Sequence, residues 1–462
     1  MEQGDPLGPL LFSLAVHPLL TSLHSNLAIG YLDDFTLGGP LKTVAADVAS
    51  IRSKGASLGL SLNAEKSEVI SHSGNISHCQ FAGFRQVTLD SATLLGAPIF
   101  CGQAMDDILS TLLENLKLAV DRLQHITAHD ALVLLKTCLG GPKLQYILRV
   151  SPCCDHPLLL QFDEQLRLAL IKTCNITLTD DQWNQASLPV WSGGLGVRSV
   201  SMLASSAFLA SAAGTLPLQS QILRNTQTAE GDTRTASKQW LAISGLPSDA
   251  SVPAGNQRIL DAVVVNHAYQ TQLKNQTNPY HRARLLAAAA AAHSGDWLHA
   301  VPISACGLRL NNEAVRVAVG LRLGSELCQP YRCICGASVD THGSHALSCR
   351  RNPGRSQRHH LVNDLIWRSL SKAGFPSIKE PQGLLRTDGK RPDGLTLTPW
   401  KDGRCATWDV TVTDTVAVSY LNATSACAGS AAEAAAKRKE DKYAEISATY
   451  HFFRLLLRPL VP

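Results

Sequence analysis

Aromatic residues are scarce in this 462-residue chain, at 5%, so extensive base stacking is not advertised. Net charge is small as well: formally +5, a slight lean towards nucleic acid. No apolar run reaches bilayer-spanning length, the longest being the alanine-rich Leu285 to Ala292. The opening stretch Pro6 to Leu20 lacks a positive n-region, and Asp5, Pro9, His17 and Pro18 stand in or beside it, which excludes a signal peptide. Thirteen cysteines lie scattered apart from one cluster near position 333, with no disulfide framework. These absences lead to an expectation of a soluble, intracellular protein without a membrane partner. What is present is 45% hydrophobic content, enough for a sizeable core, on a chain long enough for roughly two to four domains.

The first informative stretch is Ile29-Gly30-Tyr31-Leu32-Asp33-Asp34-Phe35-Thr36-Leu37, closed by Gly38, Gly39 and Pro40. Apolar and β-branched residues on both sides predict strand, tight turn, strand, with two carboxylates at the tip. Adjacent carboxylates repel, and a hard divalent cation would relieve them. The same pair is also an ordinary polar turn. Around it, Gln3-Gly4-Asp5-Pro6-Leu7-Gly8-Pro9 reads as a loop feeding a helix whose inward face is Leu10, Leu11, Leu14 and Ala15. Thr43 to Leu60 reads as a helix with Val44, Val48, Ile51 and Leu58 inward. Gly59 to Ile70 reads as two short strands around a charged turn. Phe81 to Phe84 and Leu94 to Ile99 read as a further hairpin.

The order Gln3-Gly4-Asp5-Pro6-Leu7-Gly8-Pro9-Leu10, Tyr31-Leu32-Asp33-Asp34, Leu62-Asn63-x-x-Lys66-Ser67 and Leu94-Leu95-Gly96 resembles the later palm motifs of reverse transcriptases, of the kind in non-LTR retrotransposons. The resemblance implies that Gln3 and Gly4 shape the nucleotide and template pocket. It implies that Asp33, with Asp34 beside it, ligates catalytic Mg2+ or Mn2+, and that Lys66 approaches the triphosphate. In the family a further aspartate, on a strand before the Gln-Gly loop, shares the metals. This chain starts at Met1 without that strand or the fingers, so a fragment is expected, not active as a polymerase by itself.

From Ala104 to Ala213 the apolar spacing is helical, in Asp107 to Leu123, Ala131 to Leu139 and Leu158 to Leu170. A generic helical bundle would read the same way. The loop Leu188-Pro189-x-x-x-Gly193-Gly194-Leu195-Gly196 resembles one in the post-palm region of the same elements, which implies a thumb-like domain. Thr215 to Arg282 is polar and reads as a connector of lower order, before helices resume at Arg284 to Ala292 and Glu313 to Leu321.

Cys333-x-Cys335-Gly336, then His345 and Cys349, gives C-x-C-x9-H-x3-C, the ligand chemistry of a tetrahedral, structural Zn2+ site in contact with nucleic acid. His342 and Cys328 are competing ligands. A basic stretch of Arg350, Arg351, Arg355, Arg358, His359 and His360 follows, either a solvated helix start or a phosphate contact. Next come Glu380-Pro381, Arg391-Pro392-Asp393, the alternating Trp408-Asp409-Val410-Thr411-Val412 and a helix, Ala426 to Ala448, with Lys437, Lys439, Lys442 and Tyr443. The order helix, strand, strand, strand, helix sets Asp393 and Asp409 on neighbouring strands, where both could bind one metal. Equally, Asp393 could be a turn residue and Asp409 a strand-end cap.

Residues 333–448 resemble the PD-(D/E)xK fold of the restriction-like endonuclease in some non-LTR retrotransposons. The resemblance implies Asp393 and Asp409 as Mg2+ ligands and Glu380 as an accessory. The usual lysine two residues after the second acid is Thr411 here, and Lys439 or Lys442 takes its place. After Tyr450 the chain departs from the pattern.

The expected architecture is multidomain α+β. It comprises a partial reverse-transcriptase palm (1–103), a helical thumb-like domain (104–213), a partly helical connector (214–325), a zinc knuckle (326–352), an α/β restriction-endonuclease-like domain (353–450) and an atypical tail (451–462). The expected function is a retrotransposon-derived RNA-directed DNA polymerase segment joined to a metal-dependent DNA-nicking endonuclease. Its partners are a DNA target and a template RNA, and it works in the nucleus and, with RNA, in the cytoplasm. The alternatives are a nuclease-only enzyme and a catalytically dead nucleic-acid-binding remnant.

Overall fold

Helix and sheet are mixed throughout the computed structural model, which describes residues 5–72, 74, 76–222, 230–290, 293–349, 351–384 and 391–457. The chain divides into two compact units. One holds Met1–Asn115, Lys143–Phe162 and Val200–Val264, the other Leu116–Pro142, Asp163–Ser199 and Val265–Pro462.

The first unit begins with α1 (Gly8–Thr21), the antiparallel hairpin β1 (Leu27–Tyr31) and β2 (Asp34–Gly38), and α2 (Leu41–Ser57). A small core of Ala45, Val48 and Phe81 gathers Leu37, Val44, Val69, Ile76 and Phe84, and so fixes α2 against the hairpin and the strand that follows. Two expectations are corrected here. Leu10, Leu11, Leu14 and Ala15 are exposed, whereas Val16, Leu19 and Leu23 are buried. Outside the stripe of Ser13, His17 and Thr21 the helix is apolar on several sides, so periodicity did not single out its inner face. Leu58 is exposed because α2 ends one residue before it. Between Gly59 and Ile70 there is one strand, β3 (Glu68–Ile70), not two; it pairs in parallel with β4 (Arg85–Val87). Phe81 lies in a 3-10 turn, and the further hairpin is β5 (Thr93–Leu94) with β6 (Ala97–Pro98), turned by Leu95 and Gly96 at positive φ.

Helices follow: α3 (Gln103–Leu123), α4 (Ala128–Leu134), α5 (Gly141–Val150), α6 (Pro157–Cys174), α7 (Asp180–Ala186) and α8 (Val200–Ile222). By length and composition α8 could cross a membrane, contrary to the expectation that no stretch could. Serines interrupt its apolar runs, yet it carries no charge, and Val200, Leu203, Ala204, Ala207 and Leu209 are buried in the protein. The polar connector is also more ordered than its composition suggested. Residues 223–229 lie outside the described residues, but α9 (Glu230–Ser244) and α10 (Gln257–Asn275) are regular helices. Ala236, Trp240, Leu260 and Val264 recur at helical spacing and are buried, while the polar majority faces outwards.

In the second unit, α11 (Pro279–Ala290) and α12 (Asn312–Leu323) hold the Leu188–Gly196 loop. Arg322, fully buried, donates from its guanidinium to the carbonyls of Val190 (2.9 Å), Gly194 (3.0 Å) and Ser294 (2.9 Å). A Cβ at Gly194 would lie 2.0 Å from the Leu188 carbonyl oxygen, so that glycine is required by close approach.

The C-terminal part has β7 (Tyr331–Arg332), β8 (Ser338–Val339), α13 (Ser344–Ser348), α14 (Pro353–Lys372), β9 (Ser377–Lys379), β10 (Gly394–Thr396), β11 (Ala406–Val412), α15 (Leu421–Ala426), α16 (Ser430–Lys442), α17 (Ala444–Thr449) and β12 (His451–Leu457). The sheet order is β12-β11-β10-β9, with β12 parallel to β11 and the other neighbours antiparallel. The segment expected to fall outside the pattern is thus a strand of this sheet over 451–457, and only 458–462 lie outside the described residues. Tyr443 packs on Phe452 at 5.0 Å between ring centroids, and Arg454 pairs with Glu440 of α16.

Candidate functional site

The first acidic pair stands where the hairpin predicted. Tyr31 and Asp34 are register partners, Leu32 and Asp33 form the turn, and Leu32 takes φ 55° to close it. Asp33 and Asp34 are both exposed. Gly30 packs closely beneath them: a Cβ there would sit 2.6 Å from Leu20 Cδ1 of α1 and displace that side chain. Asp47, buried below the turn entering β1, accepts from the backbone N–H of Ser25 (2.6 Å) and of His24, and from the Ser25 hydroxyl (2.5 Å). Burial pushes Asp47 up, but these donors outweigh it and hold the carboxyl below its ordinary range. Lys66 is exposed on a turn that the Asn63 side chain caps. Gln3 and Gly4 lie outside the described residues.

The thiol cluster assembles as its spacing predicted. One donor atom from each of Cys333, Cys335, His345 and Cys349 lies within 4.8 Å of all the others. Cys333 and Cys349 sulfurs are 3.6 Å apart, and Cys335 Sγ is 3.1 Å from His345 Nε2. Tetrahedral zinc separates such donors by roughly 3.5–4 Å, so the set is compatible with Zn2+. Gly336, at φ 88°, makes the turn after Cys335. The Ala337 backbone N–H, then the His345 ring, draw the Cys335 thiol below its ordinary value and favour the thiolate. The competing ligands are engaged elsewhere: Cys328 donates to the Asp340 carbonyl, and His342 stacks on Tyr280.

The second acidic pair is built differently. Gly394 of β10 opposes Trp408 of β11, and Asp409 follows Trp408 within β11. Asp393 lies in the bend just before β10 and is a turn residue, not a strand residue as the element order suggested. A backbone bond ties that bend to β11, with Asp393 N–H donating to the Trp408 carbonyl at 2.9 Å. Trp408 lies flat beneath Gly394, where a Cβ would meet its ring at 2.0 Å. Asp409 is 3% exposed, and Lys439 Nζ of α16 lies 2.5 Å from its Oδ2. That oxygen has the ion pair but no well-directed hydrogen bond. Asp393 Oδ2 accepts from Val410 N–H (2.6 Å) and His359 Nε2 (3.1 Å). The hydrogen bond to Asp393, helped by its charge, raises the His359 pKa above its ordinary value, against the effect of burial.

Of the two candidate lysines, Lys439 reaches the acid, whereas Lys442 Nζ lies 2.5 Å from the Tyr443 hydroxyl. Tyr443 in turn donates to the Arg391 carbonyl at 2.9 Å and so anchors the turn before Asp393. Glu380 is exposed and ion-paired with Arg391, with its backbone N–H on the Asp393 carbonyl. The basic stretch turns out to be partly internal: Arg358 donates to the Leu347 carbonyl and His359 faces Asp393, while Arg350 lies outside the described residues. Asn363, which sequence reasoning missed, is buried and hydrogen-bonded to both strands. Its only signal was the four-residue spacing from His359.

Residues 1–99 match the family described as reverse transcriptase (RNA-dependent DNA polymerase). The chain is also similar to the Retrotransposable element SLACS 132 kDa protein of Trypanosoma brucei gambiense, with 25% identity over 410 residues. That alignment covers 86% of this chain and 30% of the relative, so the similarity runs well past residue 99 while the chain spans less than a third of the relative's length. Together the two findings support a retrotransposon reverse transcriptase.

Proposed function

We propose that this chain joins a retrotransposon reverse-transcriptase segment to a DNA-nicking endonuclease, serving target-primed reverse transcription. A nick in the DNA target exposes a 3′-hydroxyl, and a polymerase extends it on a template RNA. The family match over residues 1–99 supports the polymerase half. There Asp33 and Asp34 would hold Mg2+ or Mn2+, Lys66 would meet the triphosphate, and Gln3 and Gly4 would line the template pocket. Work on chromosomal DNA puts the protein in the nucleus, and its RNA in the cytoplasm as well.

The single observation that carries the nuclease half is the buried Asp409 carboxylate, 2.5 Å from the Lys439 ammonium and next in the chain to Val410, whose N–H holds the Asp393 carboxylate. A divalent cation bound there supplies Lewis acidity and an activated water. Asp393 and Asp409 would hold it: among the described residues both hydrogen bonds to Asp393 fall on Oδ2 and leave Oδ1 for a ligand. Lys439 stabilises the attacking hydroxide and the charge that develops on the phosphate. The water oxygen bonds to phosphorus, the bond to the 3′-oxygen breaks, and that oxygen takes a proton. Glu380 would join only after leaving Arg391. Cys333, Cys335, His345 and Cys349 would hold a structural Zn2+, every position filled by protein, beside the nucleic acid.

A nuclease-only reading is favoured by one observation: Asp33 and Asp34 are exposed, whereas Asp409 is buried beside the Lys439 ammonium. The test is a supercoiled-plasmid assay with the unmodified chain and Asp393→Ala. Divalent-metal-dependent nicking that disappears in the variant is expected. No nicking by the unmodified chain, with salt-sensitive DNA binding retained, would remove the endonuclease and leave a binding remnant.

A further inference from the structure

We infer that His359 and Asn363 are positioning residues that aim the Asp393 carboxylate at the divalent cation. This rests on the nuclease reading and goes further, because it assigns work to a helix that carries neither acid nor lysine of the site.

One face of α14 presents His359, Asn363 and Trp367 four residues apart, and each bonds to a different part of the sheet. Trp367 Nε1 donates to the Ser377 carbonyl of β9 at 2.8 Å. Asn363 Nδ2 donates to the Asp393 carbonyl at 3.1 Å, and its Oδ1 accepts from Trp408 Nε1 of β11 at 2.8 Å. An indole N–H can only donate, which fixes the amide orientation and makes Asn363 a bridge between the Asp393 backbone and β11. Asn363 is 4% exposed and Trp408 2%, so neither bond has water as a ready substitute.

His359 acts on the side chain. An ionised carboxylate only accepts, so Nε2 carries the proton in its 3.1 Å contact with Asp393 Oδ2. The Val410 N–H lands on the same oxygen at 2.6 Å. Two donors on one oxygen lock the carboxylate rotation and turn Oδ1 away from both. Asn363 fixes where the residue's backbone lies, and His359 fixes which oxygen is offered. Outer-shell donors of this kind typically change metal affinity 10–100-fold.

The test uses the zinc-replete full chain with Mn2+ alone, free Mn2+ being followed by electron paramagnetic resonance. The unmodified chain should show a Mn2+ site that Asp393→Asn removes. His359→Ala should raise the Kd about 10–100-fold. His359→Gln, which keeps an N–H donor, should recover most of that loss. If the alanine variant does not fold, His359→Met takes its place, similar in length but without a donor. Nicking by the donor-free variant should return at saturating Mn2+, as lost positioning predicts and lost structure does not. Unchanged Mn2+ affinity in the donor-free variant, equal weakening in Gln and Met, or a rate that added Mn2+ does not restore would each overturn the inference. A Mn2+ affinity that Asp393→Asn leaves unaltered would bring down this inference and the nuclease reading together. The predicted Mn2+ shifts without any nicking would remove the nuclease reading and leave the inference standing.

Discussion

Two pairs of aspartates lie about as far apart in character as in sequence. Asp33 and Asp34 are neighbours in the chain, both exposed, one in a two-residue turn and the other at the start of β2. Asp409 lies within β11, buried against a lysine, and Asp393 lies in the bend just before β10, clamped by a backbone N–H and a histidine. Adjacency in sequence makes the first pair easy to read, but it supplies ligands from one side only. The second pair is assembled by the sheet register, which brings a cation, a donor helix and both acids to one place. The more completely built chemistry is the one harder to see in the sequence.

That contrast has measurable consequences. The largest effect should come from Lys439→Met, which leaves Asp409 buried without its cation. Nicking at saturating metal should fall about 10²–10³-fold. Lys442→Met should cost less, because that ammonium lies on Tyr443 and not on the acid. Next, Cys349→Ser should lower zinc content, measured by elemental analysis, from one per chain towards zero. It should also loosen the segment before α14 to proteolysis, since structural zinc carries folding energy. One zinc per chain in that variant would remove the four-ligand assignment.

The smallest effect concerns the first pair's foundation. Asp47→Ala strands the Ser25 hydroxyl and two backbone donors and should cost about 1–3 kcal/mol in denaturant unfolding at pH 7. The folded carboxyl sits below the ordinary 3.8, so its contribution is fully present above that value and is lost as pH falls through the folded one. The variant and the unmodified chain should converge in stability at low pH. Persistence of the full difference there would contradict the role assigned to the ionised form.

How much of this was legible depended on what made each pattern. The β1–β2 hairpin was, because alternating apolar residues meet a forced two-residue turn. So was the cysteine cluster, where spacing and chemistry both point to one site. The inner face of α1 was not: leucines surround the helix, and only packing selects Val16 and Leu19. Helices α9 and α10 hid behind polar outer faces, with Trp240 and Val264 the sparse clues to a buried stripe. The strand β12 was missed although His451-Phe452-Phe453-Arg454-Leu455-Leu456-Leu457 has strand composition, because a resemblance that stopped before it outweighed propensity. Element order brought Asp409 to its strand but put Asp393 on one too, where the structure has the bend before β10. The part played by His359 and Asn363 was not legible, since a helix face acquires its partner only in the fold.

The most direct measurement sets one acid from each pair side by side, comparing initial nicking rates of Asp33→Ala and Asp409→Asn on the same supercoiled DNA with Mg2+. The account predicts a rate within about twofold of the unmodified chain for Asp33→Ala, a surface-level effect, and background for Asp409→Asn. Nicking lost in Asp33→Ala and kept in Asp409→Asn would contradict it.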